Sequence, residues 1–206
     1  MKKHPEILMF QLGRENNWLT SKLTSTGLNG ILSLPSLSSL IIGRSIEFIY
    51  GINVNIVSKQ LQTLQLTCDC RTINNDWFLQ ILEQCGSTLK SLTLKDSIIT
   101  GEILIKYKGT LPCLENLNMS YCKQLTNKGL LQILQLCEST LRSLDISYID
   151  INIINGEYLS VCRQLTDKGL LQILQLCGST LRSLDISGTN ITGANISGEN
   201  LSLIHI

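Results

Sequence analysis

Histidine is nearly absent from this sequence, and this limits the catalytic sites that the chain can form. His4 and His205 are its two histidines, and both lie close to an end of the chain. Neither can join a rigid Ser-His-Asp or Cys-His site inside a folded domain. The chain also has no glycine-rich loop of the kind that cradles phosphates. We therefore expect a protein that is not an enzyme and that binds no cofactor.

The chain also lacks a charge excess, many aromatic residues and long apolar runs. Its 17 basic and 16 acidic residues give a net charge of +1, and aromatics make up 5% of it. This balance gives no electrostatic reason to bind nucleic acid or an anionic membrane. Ile7–Phe10 is too short for a secretory signal, and no stretch approaches the roughly 18 apolar residues of a membrane helix. We expect a cytoplasmic protein, with the nucleus as an alternative, whose partners include neither nucleic acid nor a membrane.

Internal repetition is the strongest feature that the sequence does have. Residues 122–147 read CKQLTNKGLLQILQLCESTLRSLDIS, and residues 162–187 differ from them at three of 26 positions. The shorter pattern Leu-x-x-Leu-x-apolar recurs six times, beginning at Leu37, Leu61, Leu89, Leu114, Leu141 and Leu181. The steps are 24, 28, 25, 27 and 40 residues, and a longer period of 52 residues joins alternate repeats. Repeats of 20–29 residues with this spacing are typical of a solenoid that stacks one strand and one helix per repeat.

The periodicity within one repeat predicts its elements. Alternating leucines predict a short strand with one buried face. Leu130, Ile133, Leu134 and Cys137 then fall on one stripe of a helix, for which Thr126 or Asn127 is the expected N-cap. Extended to every copy, the pattern predicts parallel strands near 38–42, 62–66, 90–94, 115–119, 142–146 and 182–186. It predicts helices near 27–34, 76–84, 128–136 and 168–176, the first beginning close to residue 23.

These elements predict an α/β fold, an arc-shaped leucine-rich-repeat solenoid with parallel strands on its concave face and helices on its convex face. About six to seven repeats would occupy residues 23–200. Residues 1–22 would be an N-terminal cap or the remnant of a preceding repeat. The 40-residue step is interpreted as a 52-residue pair that has lost 12 residues. There, either Tyr158–Val161 forms a makeshift strand or one strand is missing.

The repeats resemble the cysteine-containing leucine-rich repeats of F-box substrate-recognition subunits of ubiquitin ligases. The resemblance is carried by Leu114-x-x-Leu117-x-Met119-x-x-Cys122-x-x-Leu125-Thr126-Asn127-x-Gly129-Leu130-x-x-Ile133, and by its second copy with Cys162, Asp167, Gly169 and Cys177. It implies a non-catalytic module that binds proteins, with substrate recognition for a ubiquitin ligase as the specific role. Residues 1–22 are too few for the F-box helical bundle, so the adaptor activity itself is not assigned to this chain. There are two alternatives. The chain is either a ligand-sensing or inhibitor-type repeat region of an innate-immune-like protein, or a degenerate non-functional copy.

Six of the eight cysteines follow the repeat. Cys70, Cys122 and Cys162 each lie 15 residues before a second cysteine, Cys85, Cys137 or Cys177. Spacing locked to the repeat indicates that these side chains fill the core as small apolar groups. A zinc site would need two close pairs of cysteines, and Cys68-Asp69-Cys70 is the one such pair in the sequence. We therefore expect no metal site, and no disulfides in a reducing compartment.

The residues between the strand leucines are the candidate binding residues. Alternate side chains of a strand point to opposite faces, so these should form a polar ribbon on the concave face. A small ribbon of mixed charge favours a protein or peptide partner. The predicted protein-binding residues are Gln65, Thr67, Thr93, Lys95, Asn118, Ser120, Asp145, Ser147, Asp185 and Ser187.

The end of the chain departs from the repeat. Leu201–Ile206 reads LSLIHI, which resembles the in-frame translation of a transposon-end adapter used to prepare sequencing libraries. We expect this tail to be non-native and the chain to be a fragment of a longer solenoid.

Overall fold

The structure, a computed structural model, describes residues 8–12, 21–43, 46–49, 59–67, 75–137, 139–149, 153–154, 157–158 and 166–192. Their strands are β1 (Leu8–Leu12), β2 (Ser21–Thr24), β3 (Leu37–Ile42), β4 (Ile46–Ile49), β5 (Thr63–Leu66), β6 (Ser91–Leu94), β7 (Asn116–Asn118), β8 (Ser143–Asp145), β9 (Ile153–Ile154), β10 (Glu157–Tyr158) and β11 (Ser183–Asp185). The helices are α1 (Ser25–Leu32), α2 (Asn75–Cys85), α3 (Asn127–Leu136) and α4 (Asp167–Cys177), with a 3₁₀ helix at Glu102–Lys106.

One parallel sheet of seven strands organises the chain, in the order β1, β3, β5, β6, β7, β8, β11. Its register places the same leucine of every repeat side by side, from Leu64 through Leu92, Leu117 and Leu144 to Leu184. All five leucines are buried. The predicted α/β leucine-rich-repeat solenoid is therefore confirmed, because only stacking of successive repeats can bury this row of leucines.

The four predicted helices are present within two residues of their predicted bounds. Three of them begin at a threonine N-cap, Thr24, Thr126 or Thr166, whose hydroxyl accepts a hydrogen bond from a glycine N–H three residues later. The cap fixes each helix start because it satisfies one of the backbone donors left without a partner in the first turn. The first helix begins at Ser25, two residues after the predicted start near residue 23, since residues 21–24 pair with β4 as a strand.

The core cysteines are where the repeat predicts them. Cys85, Cys137 and Cys177 are buried free thiols at the ends of α2, α3 and α4. Each Sγ lies 3.1–3.3 Å from the carbonyl oxygen four residues earlier, to which it donates a hydrogen bond. Cys122 is also buried. Their core-filling role is thus confirmed, whereas Cys68, Cys70 and Cys162 lie outside the described residues.

The long step between the last two repeats removes a strand from the sheet. β8 pairs directly with β11, with Leu144 beside Leu184. Nine residues separate Leu117 from the N-cap Thr126, but 22 separate Leu144 from the equivalent Thr166. The additional segment carries β9 and β10, which pair with each other in antiparallel fashion and not with the seven-stranded sheet. No strand therefore lies between β8 and β11 in this sheet, as the second alternative expects. Of the segment Tyr158–Val161, Tyr158 belongs to β10, and residues 159–161 lie outside the described residues.

The structure also contains elements that the sequence did not predict. β1 lies within residues 1–22 and is the first strand of the sheet, parallel to β3. The 3₁₀ helix Glu102–Lys106 packs between α2 and α3, where a full helix would otherwise stand. Residues 193–206, which include the predicted non-native tail Leu201–Ile206, lie outside the described residues.

Candidate protein-binding face

The outer face of the sheet, opposite the buried leucines, carries a straight row of polar side chains. Register pairs join Gln65 to Thr93, Thr93 to Asn118, Asn118 to Asp145, and Asp145 to Asp185. All five side chains are partly exposed. Neighbouring strands lie about 4.8 Å apart, so one extended partner segment can contact the whole row. We use the term sheet face for this row together with the residues that follow each of its members along the chain.

The second row of predicted binding residues, two positions later, divides into two groups. Ser120 and Ser147 were expected on the surface, but they are buried, with 2% and 4% of their area exposed. Their hydroxyls donate to Asn118 Oδ1 at 2.8 Å and to Asp145 Oδ1 at 2.7 Å. The prediction that these two serines lie exposed on the concave face is therefore wrong, because each hydroxyl turns back to hold the polar side chain two positions earlier.

The remaining members of that row are accessible. Thr67 and Lys95 are partly exposed, and Ser187 is exposed on the last described strand. The Thr67 hydroxyl donates to the carbonyl oxygen of Ile42 at 3.3 Å. The Ser187 N–H donates to Asp185 Oδ1 at 2.9 Å, which repeats the backbone contact that Ser147 makes to Asp145.

Asp145 is held firmly on the sheet face, as Asn118 is, by three hydrogen bonds. Its Oδ1 accepts from the N–H of Ser147 at 3.0 Å as well as from the hydroxyl. Its Oδ2 accepts from Asn118 Nδ2 at 2.6 Å. A side chain held by three hydrogen bonds binds a partner with little further loss of conformational entropy.

A cation and two aromatic rings extend along the carboxyl ends of the strands. Lys95 Nζ lies 4.8 Å from the ring centroid of Tyr121, within the distance of a cation–π contact. Tyr121 stacks on Tyr148 with centroids 4.9 Å apart and planes 15° apart. Beyond Tyr148 comes Gly188, where a Cβ atom would lie 2.5 Å from Tyr148 Cδ1. Both faces of the stack are therefore covered, and its edges are what it offers to a partner.

The residues of this stack have an unusual backbone conformation. Asp96, Tyr121 and Tyr148 all have positive φ, at 59°, 64° and 55°, and Gly188 continues the row at 66°. Left-handed backbone costs a non-glycine residue about 1–2 kcal/mol. The N–H of Tyr121 and of Tyr148 each donates to a carbonyl of the next repeat, at 2.9 and 2.7 Å, which shows why the turn keeps this conformation. The Ser-Tyr that follows both β7 and β8 is the sequence signal that could have identified these tyrosines.

Two grooves lie over the last repeats. One, of about 270 Å³, runs along the sheet face and is lined by Thr93, Asn116, Asn118, Ser143, Asp145, Ser183 and Asp185 among others. The second, of about 570 Å³, lies at the amino ends of the same strands and is lined partly by Pro112, Cys113, Glu115, Arg142 and Arg182. Arg142 Nε lies 3.7 Å from Glu115 Oε2, which makes a solvent-exposed ion pair of little energetic weight.

The buried thiols of the described residues are held in their protonated form. Burial raises the pKa of the thiols of Cys85 and Cys137 to about 12 and those of Cys122 and Cys177 to about 11. A protonated, buried thiol is a poor nucleophile and a poor metal ligand. Within the described residues, no group of three or more His, Cys, Asp or Glu side chains is placed to hold a metal ion. Nor is any described helix long and apolar enough to cross a membrane.

Comparison with models of protein families agrees with this fold. The family model described as "Leucine Rich repeat" matches residues 110–134 and 179–194. No curated protein matches the sequence. Among solved structures, one that is similar is the crystal structure of the Rad7 and Elc1 complex in yeast, at 13% identity and a TM-score of 0.42. The alignment covers 86% of this chain and 64% of that chain, so this chain spans less than two thirds of its length.

Proposed function

We propose that this leucine-rich-repeat solenoid is a non-catalytic module that binds a partner protein through the sheet face. The observation that carries the proposal is the row Thr93, Asn118, Asp145 and Asp185, which is in register across four strands and lines a groove. Solenoids of this kind present an extended surface on which contacts from successive repeats add together.

The rigidity of that row supports the proposal. Asp145 is fixed by Ser147 and Asn118, and the stacked tyrosines border it at the carboxyl ends of the strands. A surface whose side chains already hold their positions loses less entropy on binding than a mobile one. The buried serines Ser120 and Ser147 therefore contribute indirectly, by positioning the side chains that a partner would touch.

A more specific role is substrate recognition for a ubiquitin ligase, in the cytoplasm or nucleus. Its support is the resemblance of Leu114–Ile133 and its second copy to the cysteine-containing repeats of F-box subunits. In that role the sheet face would hold the substrate, and a ligase scaffold would be engaged through sequence beyond the repeats.

Affinity capture from a cell extract with matched variants tests the interaction surface. Ser143→Trp places a bulky neutral side chain in the groove of the sheet face, and Gln135→Trp places the same side chain on the exposed side of α3. We expect specific partners to be captured by wild type and by Gln135→Trp but lost from Ser143→Trp. Partners kept by Ser143→Trp and lost from Gln135→Trp would place binding on the helical side. Recovery of ligase subunits among the partners, checked by mass spectrometry, tests the specific role.

A further inference from the structure

Two carboxylates stand side by side on the sheet face without a cation between them. Asp145 and Asp185 are register partners on β8 and β11, which places their backbones about 4.8 Å apart. Among the described residues, neither carboxylate forms a salt bridge. Like charges directly opposite on neighbouring strands are destabilising. A cationic group of a partner would relieve this repulsion.

The surrounding hydrogen bonds present these carboxylates as acceptors. Asp145 uses both oxygens within the sheet face, to Ser147 and to Asn118, but each oxygen has further acceptor capacity. Asp185 Oδ1 accepts from the Ser187 N–H, and its Oδ2 has no partner among the described residues. The groove above them is therefore rich in acceptors, and a side chain with several N–H donors complements it.

The tyrosine stack adds a second observation beside the carboxylates. The phenolic oxygens of Tyr121 and Tyr148 make no hydrogen bond within the described residues. These tyrosines hold left-handed backbone that glycine holds without cost at Gly188. The two tyrosine hydroxyls lie at the border of the groove. They can also accept hydrogen bonds from a side chain with several N–H donors.

The cationic side chains around the sheet face leave the aspartate pair as the place where a basic group of a partner is attracted. Lys95 stands two strands away from Asp145, against Tyr121. Arg142 and Arg182 precede the two aspartates by three residues, about 10 Å along the strands, and line the groove at the amino ends. A basic side chain is therefore attracted to the aspartate pair and repelled from both flanks, whereas an acidic neighbour is attracted to Arg182.

We propose that the sheet face from β7 to β11 binds an extended segment of a partner protein that places an arginine or lysine side chain over Asp145 and Asp185, next to an acidic residue that reaches Arg182. The inference rests on the proposed function and specifies the chemistry of the partner. Arginine suits the site best, because its planar fork binds carboxylate oxygens in pairs.

Selection from a phage-displayed library of random linear peptides on the whole chain tests the inference. Asp145→Asn/Asp185→Asn removes the paired charge while keeping side-chain shape and an oxygen acceptor. Asp76→Asn/Glu83→Gln removes the same charge from exposed positions of α2 and is the matched control. Asp185→Asn alone leaves the Asp145 network intact and covers the case in which the double variant unfolds. Circular dichroism melts establish that each variant is folded.

We expect wild type and the α2 control to enrich peptides with arginine or lysine at one position, beside an acidic residue. Affinity of the enriched peptides should fall about tenfold or more in the aspartate double variant, and the salt dependence of binding should become shallower. Enrichment without a basic residue, no enrichment at all, or unchanged affinity in the double variant overturns the inference. Ser143→Trp distinguishes failure of this inference from failure of the proposed function. If the enriched peptides lack a basic residue but no longer bind Ser143→Trp, the proposed function stands and the inference fails. If basic peptides bind Ser143→Trp as well as they bind wild type, both are contradicted.

Discussion

Asn127 occupies in α3 the first helical position that Asn75 occupies in α2, yet their side-chain oxygens have different partners. Asn75 Oδ1 accepts from the backbone N–H groups of Thr100 and Gly101, at 2.9 and 3.3 Å. Asn127 Oδ1 is buried and has no hydrogen-bond partner among the described residues. Its Nδ2 donates instead to Thr166 Oγ1 at 3.2 Å. The difference coincides with the long step: the partner of Asn75 lies 25 residues later, at Thr100, whereas the partner of Asn127 lies 39 residues later, at Thr166.

Truncation of these two asparagines should therefore have unequal effects. Asn75→Ala leaves two backbone N–H groups without their acceptor, and we expect it to lower the free energy of unfolding by about 2–3 kcal/mol. Asn127→Ala removes one hydrogen bond, from Nδ2 to Thr166 Oγ1, and an oxygen that has no partner among the described residues, so we expect a loss under about 1 kcal/mol. Urea unfolding followed by circular dichroism measures both. Equal losses for the two variants would show that the Asn75 contacts do not hold the repeats together.

A methyl group at Gly188 should disturb the tyrosine stack. Gly188→Ala places a Cβ atom 2.5 Å from Tyr148 Cδ1, on backbone with φ of 66°. We expect a loss of about 2–3 kcal/mol, which combines left-handed strain with displacement of the ring. In a Tyr148→Ala background the loss should shrink to the strain alone, about 1 kcal/mol.

Gly30→Ala is the matched control for this substitution. Gly30 lies in α1, and nothing lies within 4 Å of where its Cβ would be. Alanine there should stabilise the chain by about 0.5–1 kcal/mol, since glycine disfavours a helix interior. Thermal melts compare Gly188→Ala, Tyr148→Ala, their double variant and Gly30→Ala with wild type. A Gly188→Ala protein as stable as wild type would mean that Tyr148 does not pack as described.

Replacing a buried thiol with a hydroxyl should lower the stability of the fold. Cys137 is 1% exposed, with its thiol donating to the carbonyl oxygen of Ile133. Cys137→Ser keeps that donor but places a more polar group in an apolar stripe, at an expected cost of about 1–3 kcal/mol. Cys113→Ser, at a half-buried position, should change stability little. Labelling of the folded protein with a thiol reagent, mapped by mass spectrometry, should spare Cys137 and reach Cys113; rapid labelling of both would contradict core filling.

Alkaline pH should weaken the fold through the same thiols. Burial raises the pKa of Cys137 from its ordinary 9.0 to about 12. Below pH 9 the thiol is protonated in folded and unfolded chains alike, and its contribution to stability is fully present. Between pH 9 and about 12 the unfolded chain loses the proton first, so stability falls by up to about 1.4 kcal/mol per pH unit for each such thiol.

Cys137→Ala isolates this contribution from that of other groups. Wild type should be the more stable protein at pH 7, and its advantage should narrow as the pH rises above 9. Urea midpoints measured at a series of pH values give the comparison. An advantage that stays constant to pH 11 would show that the thiol is not desolvated in the folded state.

Much of this fold is determined by the sequence itself. The leucines of each strand, the helix stripe that ends at Cys137 and the cap at Thr126 are all encoded within a single repeat. Their periods of two and 3.6 residues follow from the local geometry of strands and helices. Repetition then predicts the parallel register, because a repeat can bury its leucines only against an equivalent neighbour. The row from Gln65 to Asp185 could be predicted on this basis.

Contacts between repeats were decided by the tertiary structure alone. Alternation predicts that Ser120 and Ser147 face outward, but the turn after each strand buries them beneath Asn118 and Asp145. β8 pairs directly with β11 although the step between them has 13 residues more than the preceding step. No local pattern in the sequence specifies where those residues are placed. The stack of Tyr121 on Tyr148 likewise exists because two turns of positive φ stand one strand apart. Local periodicity sets what each repeat forms, whereas the environment of a side chain between repeats depends on how those repeats stack.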